Sequence, residues 1–254
     1  MMRSFKKDKL TVKIYQSREE LGWESALEAG NKIKELLKSQ ENINIIFAAA
    51  PSQNEFLQNL IMQEGIEWER INAFHMDEYI GLAPAAPQGF GNFLKERIFS
   101  LRPFRSVNYL NGQCESTDDE CARYAQLLTA NPVDIVCMGI GENGHIAFND
   151  PHVADFNDRK LVKVVELDLQ CRQQQVNDGC FESIDQVPTH ALTLTIPALL
   201  KGRFLFCMVP GMTKAQAVAN TIEQEVSERY PSTILRDHIA ANLYLDTLSA
   251  TIIS

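Results

Sequence analysis

Short apolar runs alternate along this chain with longer stretches whose apolar residues recur at helical spacing. Leu10–Tyr15 reads as a strand, and Ser17 with Glu20 three residues on is a capping-box start for a helix. Ile43–Ala48 (INIIFA) is apolar almost throughout, as expected of a strand covered on both faces. From Ser52 the spacing turns helical, with Phe56, Leu57, Leu60 and Ile61 on one face. Ile71–His75 is the next strand. A Pro/Gly-rich loop leads from it to a helix over Phe90–Phe99, and Thr117–Leu128 forms another. Val133–Met138 (VDIVCM) is a buried strand that ends in glycines. Strands follow at Leu192–Ile196, Arg203–Val209 and Asn242–Leu245, with a helix over Thr213–Ile222 between the last two.

Alternation at this pitch predicts an α/β fold, with a doubly wound, mostly parallel sheet, helices on both faces and right-handed crossovers. No repeat, low-complexity tract or linker interrupts it, so a single Rossmann-like domain over residues 1–254 is expected. Pro151–Gln186 is polar and irregular and is the candidate for a mobile flap.

Composition narrows the function classes. The 254 residues are 45% hydrophobic and 22% charged, ordinary for a globular chain with a sizeable core. A net charge of −9 argues against a nucleic-acid partner, which calls for a basic stripe. The opening MMRSFKKDKL lacks the apolar stretch of a signal peptide, and no segment approaches the ~20 apolar residues that span a bilayer. The expectation is a soluble cytoplasmic protein with no membrane partner. Cys114, Cys121, Cys137, Cys171, Cys180 and Cys207 form no CxxC pair and show no zinc-site spacing, so no zinc site is expected, and no cofactor is assigned. Homo-oligomer formation is left open.

Four clusters fall just beyond carboxyl ends of strands, where open α/β sheets bind ligands. His75-Met76-Asp77-Glu78 puts two adjacent carboxylates at a strand end, candidates for a general base or simply solvated loop acids. Gly139-Ile140-Gly141-Glu142-Asn143-Gly144-His145 continues through Asn149 to Asp150, with glycines for a tight turn and close backbone approach. Its third glycine is misplaced for a dinucleotide fingerprint, so NAD binding is disfavoured. Pro210-Gly211-Met212-Thr213-Lys214 suits an anion at a helix start but lacks the Walker spacing. Ala48-Ala49-Ala50-Pro51-Ser52-Gln53 is a further strand-to-helix turn, in which Ser52 serves as a cap or a phosphate contact.

Taken in order, these clusters resemble the glucosamine-6-phosphate deaminase family, which is related to the 6-phosphogluconolactonases. FHMDEYIGL (Phe74–Leu82), GIGENGHIAFNDP (Gly139–Pro151) and QVPTHALTLT (Gln186–Thr195) carry the resemblance, and PSTILRDH (Pro231–His238) supports it. The His-Ile-Ala-Phe-Asn run favours the deaminase branch over the lactonases. The resemblance implies metal-free conversion of a 2-amino-2-deoxyhexose 6-phosphate to a ketose 6-phosphate and ammonia. It implies Asp77 as the base that moves a proton from C2 to C1, and His145 as the catalyst of ring opening. Asn143 and Asp150 match the groups that orient that histidine. Lys214 matches a phosphate ligand, with Ala49, Ala50, Ser52, Gly141 and Gly144 in the substrate-binding turns.

The sequence departs from the family pattern at four points. The phosphate loop reads Ala-Ala-Pro-Ser-Gln without the usual glycines, Asn stands at 143 where many members carry an acid, and Asp150 replaces the more usual Glu. Asn177-Asp178-Gly179-Cys180-Phe181 lacks an arginine that some members use as a second phosphate ligand. Three alternatives therefore stay beside glucosamine 6-phosphate deamination. They are the same chemistry on galactosamine 6-phosphate, hydrolysis of a sugar-phosphate lactone, and a non-catalytic sugar-phosphate sensor.

Overall fold

The run Ile43–Phe47 is buried at every position because it lies inside a sheet covered on both sides. In the computed structural model, which describes residues 1–253, the strands are β1 (Arg3–Lys7), β2 (Leu10–Tyr15), β3 (Ile43–Phe47), β4 (Ile71–His75), β5 (Asp77–Tyr79), β6 (Ser106–Asn108), β7 (Ile135–Met138), β8 (Val162–Glu166), β9 (His190–Leu194), β10 (Phe204–Val209) and β11 (Ala241–Asp246). The helices are α1 (Arg18–Leu37), α2 (Asn54–Ile61), α3 (Phe90–Leu94), α4 (Thr117–Ala130), α5 (Leu169–Asn177), α6 (Ile196–Leu200) and α7 (Ala215–Glu223). None of the described helices is long and apolar enough to cross a membrane.

The main sheet has eight strands in the order β1-β2-β11-β10-β7-β3-β4-β6. Every pair is parallel except β1 with β2. Period-two alternation divides its side chains between two cores. Ile45 and Phe47 of β3, Ile135 and Cys137 of β7, and Phe206 and Met208 of β10 face one core with α1 and α2. Ile46, Val136, Met138, Leu205 and Cys207 face the other, against α4, α6 and α7. The doubly wound expectation holds. From β3 the chain winds outward through β4 to β6. It re-enters at β7, beside β3, and continues in the opposite direction through β10 to β11. The β3/β7 boundary is thus the topological switch point, where a crevice opens beyond the strand ends.

The capping expectation at α1 is met with a shift of one residue. Ser17 accepts from the Glu20 backbone N–H, while the Glu20 carboxylate reaches back to the Gln16 N–H. The strand expected at Leu192–Ile196 is corrected in both position and sheet. It spans His190–Leu194 and forms the centre of a separate antiparallel sheet, β5-β9-β8. Pro151–Gln186, expected to be irregular, contributes β8 and α5.

His75, at the end of β4, belongs to the core. The Leu110 backbone N–H donates to its Nε2 (3.0 Å), so Nδ1 carries the proton and donates to the Asp77 carbonyl (2.9 Å). Complete burial pulls its pKa from 6.5 to about 4. Below pH 6.5 the unfolded chain therefore takes up a proton that the folded chain refuses. Stability should fall as the pH drops from 6.5 to 4, by about 3 kcal/mol from this residue. Thermal melts across that window should show the decline, with a shallower slope in His75→Gln. An identical slope in that variant would place the acid sensitivity elsewhere.

Candidate active site

The carboxyl ends of β3, β4, β7 and β10 converge on a cavity of about 260 Å³ at the switch point. Its walls include Ala49, Ala50 and Ser52 after β3, Asp77 after β4, Gly141 and His145 after β7, and Thr213 and Lys214 after β10. The four clusters picked out in the sequence thus share one space. Asn143, Asp150 and Gly144 do not line it; they stand behind it.

Asp77 and Glu78 are neighbours on β5, so the pleat sends them to opposite sides. Glu78 is consumed structurally. Its carboxylate accepts from the backbone N–H groups of Tyr79, Phe90 and Gly91 and so holds the start of α3. Asp77 is 6% exposed, and its carboxylate has no hydrogen-bonding or ionic partner among the described residues. Burial, reinforced by the nearby Glu78 charge, raises its pKa well above the ordinary carboxylate value.

His145 is held from behind. Its Nδ1 lies 2.9 Å from Asp150 Oδ1, and Asp150 is wholly buried. Asn143 braces the pair: its Nδ2 donates to Asp150 Oδ1 (2.9 Å) and Asp168 Oδ2 (3.2 Å), and its Oδ1 accepts the His145 backbone N–H (3.0 Å). Burial alone would raise the Asp150 pKa. The His145 charge and the surrounding donors outweigh it, and the net shift is downward. His145 Nε2 has no protein partner among the described residues and is left to the cavity. The imidazole lies over Gly141, where an added Cβ would fall 2.1–2.4 Å from ring atoms, so only glycine fits. Gly144 makes the turn, with φ +87°, and its carbonyl accepts the Ser232 N–H (2.9 Å). PSTILRDH thus buttresses the glycine loop from outside the cavity.

Lys214 is 6% exposed and its ammonium has no protein partner among the described residues. Burial lowers its pKa, against the opposing pull of Asp178 and Glu142. The turn Pro51–Gln53 leads into α2, and Gln53 Nε2 donates to Ser52 Oγ (3.1 Å) and to the Met208 carbonyl (3.3 Å).

Sequence reasoning missed several cavity residues. Arg18, at the start of α1, pairs with Glu55 (2.7 Å) and donates to the Pro51 carbonyl beside the Ala49–Ser52 turn. Gln174, Gln175 and Asp178 form a wall from α5. Asp168 caps α5 through the Cys171 N–H (2.6 Å) while receiving Asn143, which links the histidine support to that wall. None of these positions carries a local motif. His145, Asp150 and Cys171 each offer a potential metal-ligand atom within 4.8 Å of the others, and the first two are already paired with each other.

An α/β enzyme of sugar-phosphate type fits the switch-point cavity and the carboxylate, imidazole and ammonium that border it. Residues 16–244 match the family described as glucosamine-6-phosphate isomerases/6-phosphogluconolactonase. The chain belongs to that family and is a glucosamine-6-phosphate deaminase-like enzyme. It is 33% identical to the glucosamine-6-phosphate deaminase of Bacillus cereus (strain B4264) over 216 residues, 85% of this chain and 80% of the relative. The Streptococcus sanguinis (strain SK36) deaminase is 32% identical over 217 residues, 85% and 90% of the two chains. Among solved structures, a monomeric glucosamine-6-phosphate deaminase superposes with a TM-score of 0.85 at 30% identity, covering 95% of this chain and 99% of that one. A 6-phosphogluconolactonase from Thermotoga maritima shares the fold, with a TM-score of 0.76 at 17% identity over 93% of this chain and 99% of that one.

An acid whose folded pKa is raised destabilises the fold at pH values above its unfolded pKa, and the penalty vanishes below it. Asp77→Asn should therefore melt higher than wild type at pH 7, by about 2–4 °C per kcal/mol relieved. The gap should close as the pH falls towards 3.8, the ordinary aspartate value. An equal or lower melting temperature at pH 7 would mean that the carboxylate is not strained.

Proposed function

We propose that the chain converts glucosamine 6-phosphate and water to fructose 6-phosphate and ammonia. One observation carries the reading: Asp77, His145 Nε2 and Lys214 are all largely buried, have no protein partner among the described residues, and border one cavity. Buried polar groups are ordinarily satisfied within the protein, so three unsatisfied groups around one space argue for a polar ligand with matching groups.

In this reading Lys214, Ser52 and the backbone of the Ala49–Ser52 turn hold the phosphate, with Arg18 close to that turn. The turns that begin α2 and α7 add the positive ends of two helices. This local field opposes the chain's overall charge of −9. His145 Nε2 moves the proton that opens the pyranose ring, and Asp150 holds the imidazole orientation. Asp77 removes the C2 proton to give an enolamine and returns it to C1, giving a ketimine. Water then adds at C2 and the C–N bond breaks, releasing ammonia. A raised pKa suits Asp77 to this work, because a carboxylate that binds a proton more tightly is a stronger base near neutral pH.

The test is incubation with glucosamine 6-phosphate and with galactosamine 6-phosphate in the presence of a chelator, assaying ammonia and ketose phosphate together. The reading expects equimolar ammonia and ketose 6-phosphate from the gluco epimer. Products from the galacto epimer alone would reassign the substrate, and absence of both products from both sugars would refute deamination.

A further inference from the structure

The face that α5 turns inward is polar. Cys171, Gln174, Gln175 and Asp178 fall at i, i+3, i+4 and i+7, one stripe along the helix and its C-cap. The last three line the cavity. Such a stripe is ordinarily apolar when it packs into a core.

Two of these polar groups are occupied. Gln174 Oε1 accepts the Glu142 N–H (2.8 Å), and its Nε2 donates to Asp178 Oδ2 (3.3 Å). Gln175 differs. It is 7% exposed, yet neither end of its amide engages any protein group among the described residues, and the side chain borders the cavity. Lys214 lies within electrostatic reach of both Asp178 and Cys171, so the α5 stripe and the lysine face the same space. A cation at position 175 would be drawn into a pair with Asp178. A neutral amide stays available to a ligand.

We propose that Gln175 is a substrate-contacting, specificity-determining residue whose amide hydrogen-bonds an oxygen of the sugar phosphate held at Lys214. The proposal rests on the reading of the cavity as a sugar-phosphate site. It adds a recognition wall on α5 opposite the Lys214 turn, in the segment that lacks the arginine found in some relatives.

Gln175→Met retains the length of the side chain and removes its donor and acceptor. The variant should melt without ligand no lower than wild type, while KM for glucosamine 6-phosphate rises on the order of 10- to 100-fold with kcat little changed. An unchanged KM, or a lowered melting temperature with unchanged KM, overturns the proposal. If the wild type does not turn over the sugar, deamination fails on its own account and thermal stabilisation by glucosamine 6-phosphate becomes the readout. Stabilisation of the wild type that is lost in the variant sustains the role of Gln175. Equal stabilisation of both, or of neither, refutes it. Inorganic phosphate is the second probe: a matching loss assigns the contact to a phosphoryl oxygen, and a loss confined to the sugar phosphate assigns it to a hydroxyl. Gln175→Asn, which withdraws the amide by one methylene, is judged by the same criteria should the Met variant fail to fold.

Discussion

Asp77 carries a carboxylate buried with no partner among the described residues, and much of the architecture around the cavity bears on keeping it in place. Left free to move, the carboxylate would turn towards water. It is prevented by the small antiparallel sheet, in which Asp77 on β5 stands opposite Thr193 on β9. The same threonine hydroxyl accepts the Phe148 N–H (3.0 Å), and Asn149 donates to the Leu194 carbonyl (2.9 Å). One strand therefore fixes both the segment bearing the carboxylate and the loop bearing His145. The second sheet, the element least expected from the sequence, is what holds the acid and the histidine in mutual register.

The electrostatics of the cavity follow from which charged groups have partners and which do not. Glu78, Asp150 and Asp168 are saturated with donors, and Asp150 is driven to stay ionised. Asp77 has none and is driven towards its neutral form. Hydrogen-bond donors thus set Asp150 apart from Asp77, whereas burial raises the Glu78 pKa in spite of its three backbone donors. Lys214 is displaced in the complementary sense, its charge disfavoured by burial.

Legibility in the sequence tracked apolar content. The strands β3, β4, β7 and β10 are apolar runs and were readable almost to the residue. Three-residue β5 (Asp-Glu-Tyr) carries no periodicity at all, and β8 exposes Val164 and Glu166. The helix α5 escaped notice because Gln174 and Gln175 hold two of its buried positions beside Cys171, so its period runs against the usual hydrophobic signal. The clusters around Asp77, His145 and Lys214 were visible as odd residue types at strand ends, and the family resemblance suggested their roles. Which of Asp77 and Glu78 faces the cavity was not derivable locally, because it depends on the register of β5 against β9, strands more than 100 residues apart.

The electrostatics of the cavity turn on the state of one carboxyl group, and carbon-13 NMR titration of the Asp77 side chain in the ligand-free protein measures it directly. A midpoint well above the ordinary aspartate value of 3.8 is predicted, returning towards that value when Glu78 is neutralised and the cavity is opened to water. A midpoint at or below 3.8 would mean that Asp77 is solvated or paired, and would contradict a fold that holds its carboxyl group under strain.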